Sequence, residues 1–328
     1  MALRVAIVGV GARGREWGSE VLGADGFDLV ACVDSDPAAL RGAAELGVPG
    51  DRLFGELEAL DPGRVDAVIV ATPRDHHVEP CRAALERDLA VLVEKPFTPD
   101  LAAAHDLAAL AESRGVPLLV GQNYRYLRVH RAVRRIVHEG RLGAVRLVTA
   151  HHYRVERPAD AGWQRADPLW DLAVHHLDAL RDVLGQEVVS VTARRSDGGD
   201  DVQALLEFSG GTQGVYTITR RSSGHEYFEG GKEFYERIVG TRGTLHVLHR
   251  WLVLCETGKL PRIVRRGPRR NREDAALLGE LDRAVRGHSP RGISARDNLG
   301  TVAALDACAR SARERRWVAV EEREEIHA

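Results

Sequence analysis

The sequence LRVAIVGVGARG, residues 3–14, decides the fold of the first third of the chain. The apolar run LRVAIVGV, residues 3–10, is predicted to be a strand, and it leads directly into Gly9, Gly11 and Gly14 with the spacing GxGxxG. A helical pattern follows from residue 15. A strand, a glycine-rich turn and a helix in this order are typical of sheets that hold a dinucleotide pyrophosphate at the helix N-terminus.

The surrounding sequence repeats the strand–helix alternation. Apolar runs at residues 28–34, 66–72, 89–95 and 116–121 predict further strands that are buried on both faces, and helical patterns separate them. Asp36 and Asp100 are the expected N-caps of two of these helices. The pattern predicts a doubly wound parallel sheet, a Rossmann domain, over residues 1–122.

Each glycine of the turn has a separate predicted role. Gly9 allows the tight turn, Gly11 lets the backbone approach a pyrophosphate, and Gly14 lets the helix pack closely on the strand. Two alternatives are a glycine-rich turn that binds nothing and a similar sheet that binds another nucleoside. The preceding strand, the following helix and an acid at the end of the second strand favour dinucleotide binding.

The acid at the end of the second strand indicates which dinucleotide is bound. Asp34 lies 20 residues beyond Gly14, where a carboxylate accepts hydrogen bonds from ribose hydroxyls and repels a 2′-phosphate. NAD is therefore the predicted cofactor. Arg13 and Arg41 keep NADP possible, and Ala12 and Arg13 are counted among the cofactor-binding residues because they belong to the turn.

Two more loops follow strands at the same edge, where ligands of such sheets bind. They are ATPRDHH, residues 71–77, and EKP, residues 94–96. Lys95 is unusual because 43 of the 46 basic residues are arginine, and lysine loses its proton far more readily than arginine. The cofactor-binding residues predicted in these loops are Ala71, Thr72, Pro73, His77, Glu94 and Lys95.

Composition excludes several classes of function. A net charge of −2 and a pI near 6.7 argue against general nucleic-acid or membrane binding. The four scattered cysteines lack metal-ligand or disulfide spacing, which predicts reduced thiols in a cytoplasmic protein and no metal site. The apolar start is too short and too rich in glycine for a signal peptide or a membrane span.

From residue 123 the pattern changes to longer strands with alternating polarity, interrupted by helices near 169–184, 273–287 and 294–316. We predict a second domain over residues 123–328, an α+β domain with a mostly antiparallel open sheet. The arginine-rich segment 261–274 is predicted to be an exposed loop, and its role is open.

These motifs together resemble the glucose–fructose oxidoreductase/inositol dehydrogenase/MocA (Gfo/Idh/MocA) family over nearly the whole chain. GVGARG resembles its nucleotide loop, VIVATPRDHH its ATPxxxH segment, VEKP its EKP signature, and WDLAVHHLD its DxGxHxxD helix start. The sequence departs from the family where Ala173 replaces a glycine and where Pro168-Leu169-Trp170 replaces a glycine pair. The resemblance implies a cis bond before Pro96 and a homodimer or homotetramer formed through the second sheet.

The resemblance also implies the chemistry. Lys95 and His175 would be catalytic, with Asp171 beside them, in hydride transfer between NAD and a secondary alcohol of a sugar, cyclitol or related polyol. His175 is the expected general base, Asp171 orients it, and Lys95 stabilises the developing alkoxide, which requires the amine and the imidazole to meet beside the nicotinamide. The expected substrate contacts are Tyr124, Arg125, Tyr153 and Trp163.

Other interpretations stay open at this point. Asp171, His175 and Asp178 share one helical face, which could hold a metal, although no further ligands are apparent in the sequence. The same fold could use NAD transiently in a lyase or glycosidase without net redox change. It could also serve as a nucleotide-binding sensor without turnover.

Overall fold

The structure is a computed structural model that describes residues 2–45, 47–154, 167–220, 232–248, 251–264 and 273–321. The chain divides into two compact units. The first comprises residues 1–123 and 272–302, and the second comprises residues 124–271 and 303–328. The break near residue 123 lies where the sequence places it, but residues 272–302 return to the first unit, whereas the prediction assigns them to the second domain.

The first unit contains a six-stranded sheet with the order β3-β2-β1-β4-β5-β6. Every neighbouring pair is parallel, which confirms the predicted fold class. The central strands consist of apolar residues that are buried throughout, because helices cover both faces. The strands are β1 (Leu3–Val8), β2 (Phe27–Val33), β3 (Leu53–Phe54), β4 (Ala67–Val70), β5 (Ala90–Val93) and β6 (Leu118–Val120).

The helices of this unit begin and end as their capping residues predict. Asp100 accepts a hydrogen bond from Ala103 N at 2.9 Å, and Gly115 ends the same helix in the left-handed region at φ +64°. Asp36 accepts from Ala38 N at 2.8 Å at the start of the second helix. The helices are α1 (Ala12–Leu22), α2 (Pro37–Glu45), α3 (Val78–Leu85) and α4 (Leu101–Arg114).

Residues 272–302 join the first unit through backbone and side-chain contacts. Helix α7 (Glu273–Val285) contacts α1 and β5, and Val120 N donates to Ile293 O at 2.8 Å. The next helix, α8, spans Ala295–Glu314. A simple division after residue 122 misses this return because the packing partners are more than 150 residues apart in the sequence.

The second unit is built on a nine-stranded sheet with the order β14-β13-β12-β11-β7-β10-β9-β8-β15. All neighbours are antiparallel except β7 and β10, so the mostly antiparallel prediction is confirmed. The strands are β7 (Val145–Arg154), β8 (Val188–Arg195), β9 (Asp201–Phe208), β10 (Gln213–Thr219), β11 (Lys232–Gly240), β12 (Gly243–Leu248), β13 (Trp251–Glu256), β14 (Arg262–Val264) and β15 (Val318–Ala319).

One face of this sheet forms the core of the second unit with α5 (Arg128–His138), α6 (Val174–Leu184) and part of α8. The predicted helix at 169–184 has two parts, a π-helical turn at Leu169–Ala173 and then α6. The segment predicted as an exposed loop at 261–274 contains β14 and the first residues of α7, and residues 265–272 lie outside the described part of the chain.

A buried glutamate interrupts the apolar face of this sheet. Glu236 on β11 pairs with Ala150 and Val247, both core residues, so its side chain points into the core, where it is 1% exposed. Neither carboxyl oxygen has a hydrogen-bond partner among the described residues, and burial raises the pKa of Glu236 to about 8.

We expect Glu236→Gln to stabilise the protein increasingly as the pH rises from 5 to 8. In this window the unfolded chain releases the Glu236 proton while the folded chain keeps it, so the wild type loses stability, on the order of 3 kcal/mol, that the glutamine variant retains. Unfolding by urea at pH 5, 6.5 and 8 measures this difference. Glu207→Gln, an exposed glutamate on β9, is the matched control. A Glu236→Gln effect that is the same at all three pH values would contradict the assignment.

Candidate functional site

Two glycines of the turn after β1 are required by packing within the first unit. Gly9 has φ +85°, and a Cβ built on it would lie 2.6 Å from Thr72 N. A Cβ on Gly14 would lie 1.9 Å from Gly9 O. A larger residue at Gly9 would displace the loop after β4, and one at Gly14 would push α1 away from β1.

Gly11 differs from these two because packing within the chain does not require it. A Cβ built there meets no described atom within 4 Å, and the backbone has φ −60°, which other residues adopt readily. The open space lies at the N-terminus of α1, whose first turn contains no acidic residue. Free amides and the helix dipole suit an anion there, so the turn fits a dinucleotide pyrophosphate.

Asp34 closes the turn from the end of β2. Its Oδ2 accepts from Val10 N at 2.8 Å and its Oδ1 accepts from Asp36 N at 2.9 Å. These contacts fix the carboxylate beside the glycine turn, and each oxygen keeps a lone pair for a further donor. The contact with ribose hydroxyls remains a prediction.

Arg13 is held by carboxylates of its own unit. Its Nε donates to Glu94 at 2.5 Å, and its two terminal nitrogens donate to Asp274 at 2.8 and 2.9 Å. Burial opposes the charge of Arg13, but hydrogen bonds and charges from Asp274, Glu94 and Glu16 outweigh burial and raise its pKa. A 2′-phosphate would have to compete with these acids, which weakens the case for NADP that the sequence leaves open. Arg41 is exposed on α2.

The EKP loop follows β5 and is organised by Glu94. This buried carboxylate accepts from Arg13, from Trp17 Nε1 at 2.8 Å and from Lys95 N at 3.1 Å. The Lys95–Pro96 peptide bond is cis, as the family resemblance implies. Lys95 itself is half-buried, directly after a strand that runs beside β4.

His77 joins the two loops that follow β4 and β5. Its Nε2 lies 2.8 Å from Thr72 O, and its Nδ1 lies 2.9 Å from Pro96 O and 3.2 Å from Phe97 O. The ring is buried, and burial lowers its pKa. His77 is predicted to bind the cofactor, but its two nitrogens face backbone carbonyls, so it supports the loops that carry Thr72 and Lys95.

In the second unit, the π-helical turn carries Asp171 and leads into His175. Asp171 Oδ2 accepts from Arg220 Nη2 at 2.7 Å, and both side chains are buried. The predicted helical segment is therefore continuous, with Asp171 in the π-helical turn and His175 and Asp178 in α6. Arg220 is not predicted from the sequence. The observation that could have indicated a buried Arg220 is the alternation of buried residues along β10, which continues to position 220.

His175 is buried and its ring stacks on Tyr124. The two ring centroids are 4.2 Å apart with an interplanar angle of 16°. The neighbouring His176 points elsewhere, with its Nδ1 2.8 Å from the hydroxyl of Tyr216 and its ring stacked on His152. Tyr124 is predicted as a substrate contact, and the structure places it where it fixes the plane of the His175 imidazole.

The other predicted substrate contacts have different surroundings. Arg125 donates two hydrogen bonds to Asp178, at 2.6 and 2.7 Å, and both side chains are buried, so its role as a substrate contact stays a prediction. Tyr153 follows His152 on β7 and therefore points to the opposite face of the sheet, where its ring lies 6.2 Å from that of His151. This placement separates Tyr153 from the face that packs on α6. Trp163 lies outside the described residues.

Within the described residues, no group of three or more histidine, cysteine, aspartate or glutamate side chains could hold a metal ion. Asp178, which shares a helix with His175, is instead the partner of Arg125. In the same part of the chain, no helix is long and apolar enough to cross a membrane.

Two family models cover most of the chain. The model described as "Oxidoreductase family, NAD-binding Rossmann fold" matches residues 3–122, and the model described as "GFO/IDH/MocA C-terminal domain" matches residues 130–246. The chain belongs to the Gfo/Idh/MocA family. The resemblance drawn from the motifs is thereby confirmed, and the first unit is the NAD-binding domain of this family.

Individual members of the family are similar to different extents. Inositol 2-dehydrogenase of Arthrobacter sp. (strain FB24) is 33% identical over 195 residues, which cover 58% of this chain and 57% of that protein. The rhizopine catabolism protein MocA of Rhizobium meliloti is 26% identical over 314 residues, which cover 93% of each chain. The match to the first relative thus spans little more than half of its length.

Solved structures of this fold extend over the whole chain. An oxidoreductase from Agrobacterium radiobacter, in complex with NAD+, L-tartaric acid and magnesium, has a TM-score of 0.87 at 24% identity and covers 98% of this chain and 99% of its own. An inositol dehydrogenase homologue from Azotobacter vinelandii, in complex with NADH and myo-inositol, has a TM-score of 0.84 at 23% identity, with 97% and 98% coverage. These likenesses establish the fold.

Proposed function

We propose that this protein is an NAD-dependent dehydrogenase that transfers a hydride between nicotinamide and a secondary alcohol of a cyclitol, sugar or related polyol. The observation that carries the proposal is that two sets of groups occur in one chain. The first is a glycine turn whose open position, Gly11, fits a pyrophosphate. The second is the set of acid–base groups Lys95, Asp171 and His175. The likeness to inositol 2-dehydrogenase supports a polyhydroxylated ring as substrate.

The cofactor half of the site uses the first unit alone. Gly9, Gly11 and Gly14 with Ala12 would hold the pyrophosphate at the start of α1, and Asp34 would accept hydrogen bonds from the ribose hydroxyls. Ala71, Thr72 and Pro73 border the turn from β4, as the closeness of Thr72 to Gly9 supports. Bound NAD supplies the carbon that accepts the hydride.

The proton chemistry uses His175 and Lys95. When an alcohol is oxidised, its hydroxyl proton leaves as its carbon loses hydride, and His175 takes that proton on a ring nitrogen. The stacking on Tyr124 holds the imidazole plane during this transfer. Lys95 donates a hydrogen bond from Nζ to the same oxygen and stabilises its developing negative charge.

A survey of substrates tests this proposal. We expect formation of reduced cofactor with NAD and at least one member of a panel of inositols, aldoses, amino sugars and nucleotide sugars, and weaker turnover with NADP because Arg13 is engaged by acids. Product formation without net NADH would point to a non-redox lyase or glycosidase. Tight NAD binding with no turnover of any substrate would point to a sensor.

We also propose that the protein is cytoplasmic and forms a homodimer or homotetramer through the sheet of the second unit. All four cysteines are free thiols, which supports a reducing compartment. The face of the sheet opposite the core exposes several large apolar side chains, which supports an interface there. They are Leu205, Leu248, Trp251 and Ile263.

A further inference from the structure

Strand β10 holds the segment that carries Asp171 and His175 at two points. Its buried side alternates through Tyr216 and Ile218 to Arg220, which follows the strand directly. The Tyr216 hydroxyl lies 2.8 Å from His176 Nδ1, and Arg220 Nη2 donates to Asp171 Oδ2 at 2.7 Å. The anchor at Tyr216 is a neutral contact, whereas the anchor at Arg220 is a buried ion pair.

The charge of this ion pair matters for His175. Arginine stays protonated in proteins, so Arg220 brings a permanent positive charge to Asp171. Asp171 and His175 are four residues apart in a continuous helical segment, a spacing that brings side chains to the same side of a helix. An unpaired Asp171 carboxylate would favour the imidazolium form of His175, and Arg220 cancels that field.

We propose that Arg220 is a positioning residue that neutralises Asp171 and thereby keeps His175 in the uncharged form that accepts a proton. The inference rests on the proposed function for the role of His175 as base. Arg220 would thereby set the pH at which His175 can act as the base.

Several other charged and titratable groups that the structure describes around this segment are either paired or neutral. Asp178 is paired with Arg125, and Arg181 Nη1 lies 3.7 Å from Asp178 Oδ1. Burial lowers the pKa of His130 to about 4 and that of His152 well below its ordinary value, so both are neutral near pH 7. Burial also raises the pKa of Tyr216 well above its ordinary value. Among the described residues, the charged and titratable groups around this helical segment are Asp171, His176 and Asp178 on the segment itself and Tyr124, His130, His152, Tyr216 and Arg220 on the elements packed against it.

A histidine titration tests the proposal without a substrate. In protein labelled with [13C]histidine, the His175 signal is assigned by its loss in His175→Gln and is followed with pH by NMR. We expect Arg220→Gln to raise the pKa of His175 by about one unit, because the negative charge of Asp171 would then be uncompensated. Arg220→Lys keeps the charge and should leave the pKa close to the wild-type value.

A matched control removes another arginine paired with the same segment. Arg195 Nη1 donates to Asp167 Oδ2 at 2.9 Å, and Asp167 O accepts from Asp171 N, but the Arg195–Asp167 pair is exposed to solvent. Arg195→Gln therefore makes the same substitution at a screened site and should not move the His175 titration. An equal shift in Arg195→Gln and Arg220→Gln would overturn the proposal.

A second pair of variants covers the case in which Arg220→Gln does not fold. Asp171→Asn leaves Arg220 with its charge and should lower the pKa of His175, and the double variant Asp171→Asn/Arg220→Gln should return it towards the wild-type value. Identical His175 titrations in these two proteins, or in Arg220→Gln and the wild type, would refute the role of Arg220.

Turnover then separates this inference from the proposed function. The acid limb of kcat/KM should move with the His175 titration, so that Arg220→Gln loses activity near neutral pH and recovers it at higher pH. A His175 titration that moves without a matching change in the limb would support the charge coupling and reject His175 as the base. Absence of turnover in the wild type would reject the proposed function and leave the NMR comparison decisive for Arg220.

Discussion

Lys95→Ala is expected to lower kcat by roughly 10³-fold, because removal of one preorganised donor to a developing oxyanion costs about 10²–10³-fold. The affinity for NAD should be largely preserved. The glycine turn and Asp34 are held by backbone contacts among β1, α1 and β2, and none of these contacts uses the Lys95 side chain. Stopped-flow measurement of hydride transfer gives the first quantity, and fluorescence titration with NADH gives the second.

Two further lysine variants make this experiment specific. Lys95→Arg keeps the positive charge, but its larger planar guanidinium does not place a donor where the compact lysine ammonium does, so it should remain nearly as inactive as Lys95→Ala. Lys259→Ala is the matched control, because its amine is 67% exposed and lies 3.4 Å from Glu256 on the surface. Full activity of Lys95→Ala would remove Lys95 from the chemistry. Full activity of Lys95→Arg alone would limit its role to that of a fixed charge.

The strands and the cofactor turn could be predicted because their signals are local. Residues 3–14 contain a buried strand, the glycine turn and the first residues of a helix in one continuous stretch, and the structure repeats that order. The helix α1 begins three residues earlier than its periodic pattern does, because the residues of the glycine motif form its first turn. Strand β3, with two residues, is too short to give an apolar run, and it is absent from the prediction.

The arginine partners could not be predicted, because their contacts join distant parts of the sequence. Arg13 meets Asp274 across 261 positions, Arg125 meets Asp178 across 53, and Arg220 meets Asp171 across 49. In a chain with 43 arginines, the residue type alone does not distinguish a buried ion pair from a solvated surface charge. Helix α5 is also absent from the prediction, because its many arginines obscure the apolar pattern. They occupy one side of the helix, and the other side buries His130, Val133 and Ile136.

The two glycines that follow Gly9 should respond in opposite ways to the same substitution. Gly14→Ala places a methyl group 1.9 Å from Gly9 O, so we expect it to destabilise the first unit by roughly 3 kcal/mol, as overpacking at a fixed backbone contact does. Gly11→Ala meets no described atom within 4 Å and has an ordinary backbone conformation, so its free energy of unfolding should be close to that of the wild type.

Although Gly11→Ala should leave the stability unchanged, it should weaken the binding of NAD. If the open space beside Gly11 is where the pyrophosphate approaches the backbone, one added methyl group should weaken NAD binding by about 10-fold or more, equivalent to roughly 1.4 kcal/mol. Gly279→Ala is the control, because its Cβ also meets no described atom within 4 Å but it belongs to α7 and not to the glycine turn. Urea unfolding and calorimetric titration with NAD separate the two quantities. Undiminished NAD affinity in a folded Gly11→Ala protein would show that the dinucleotide does not use this turn, whereas loss of affinity at unchanged stability identifies Gly11 as a ligand contact.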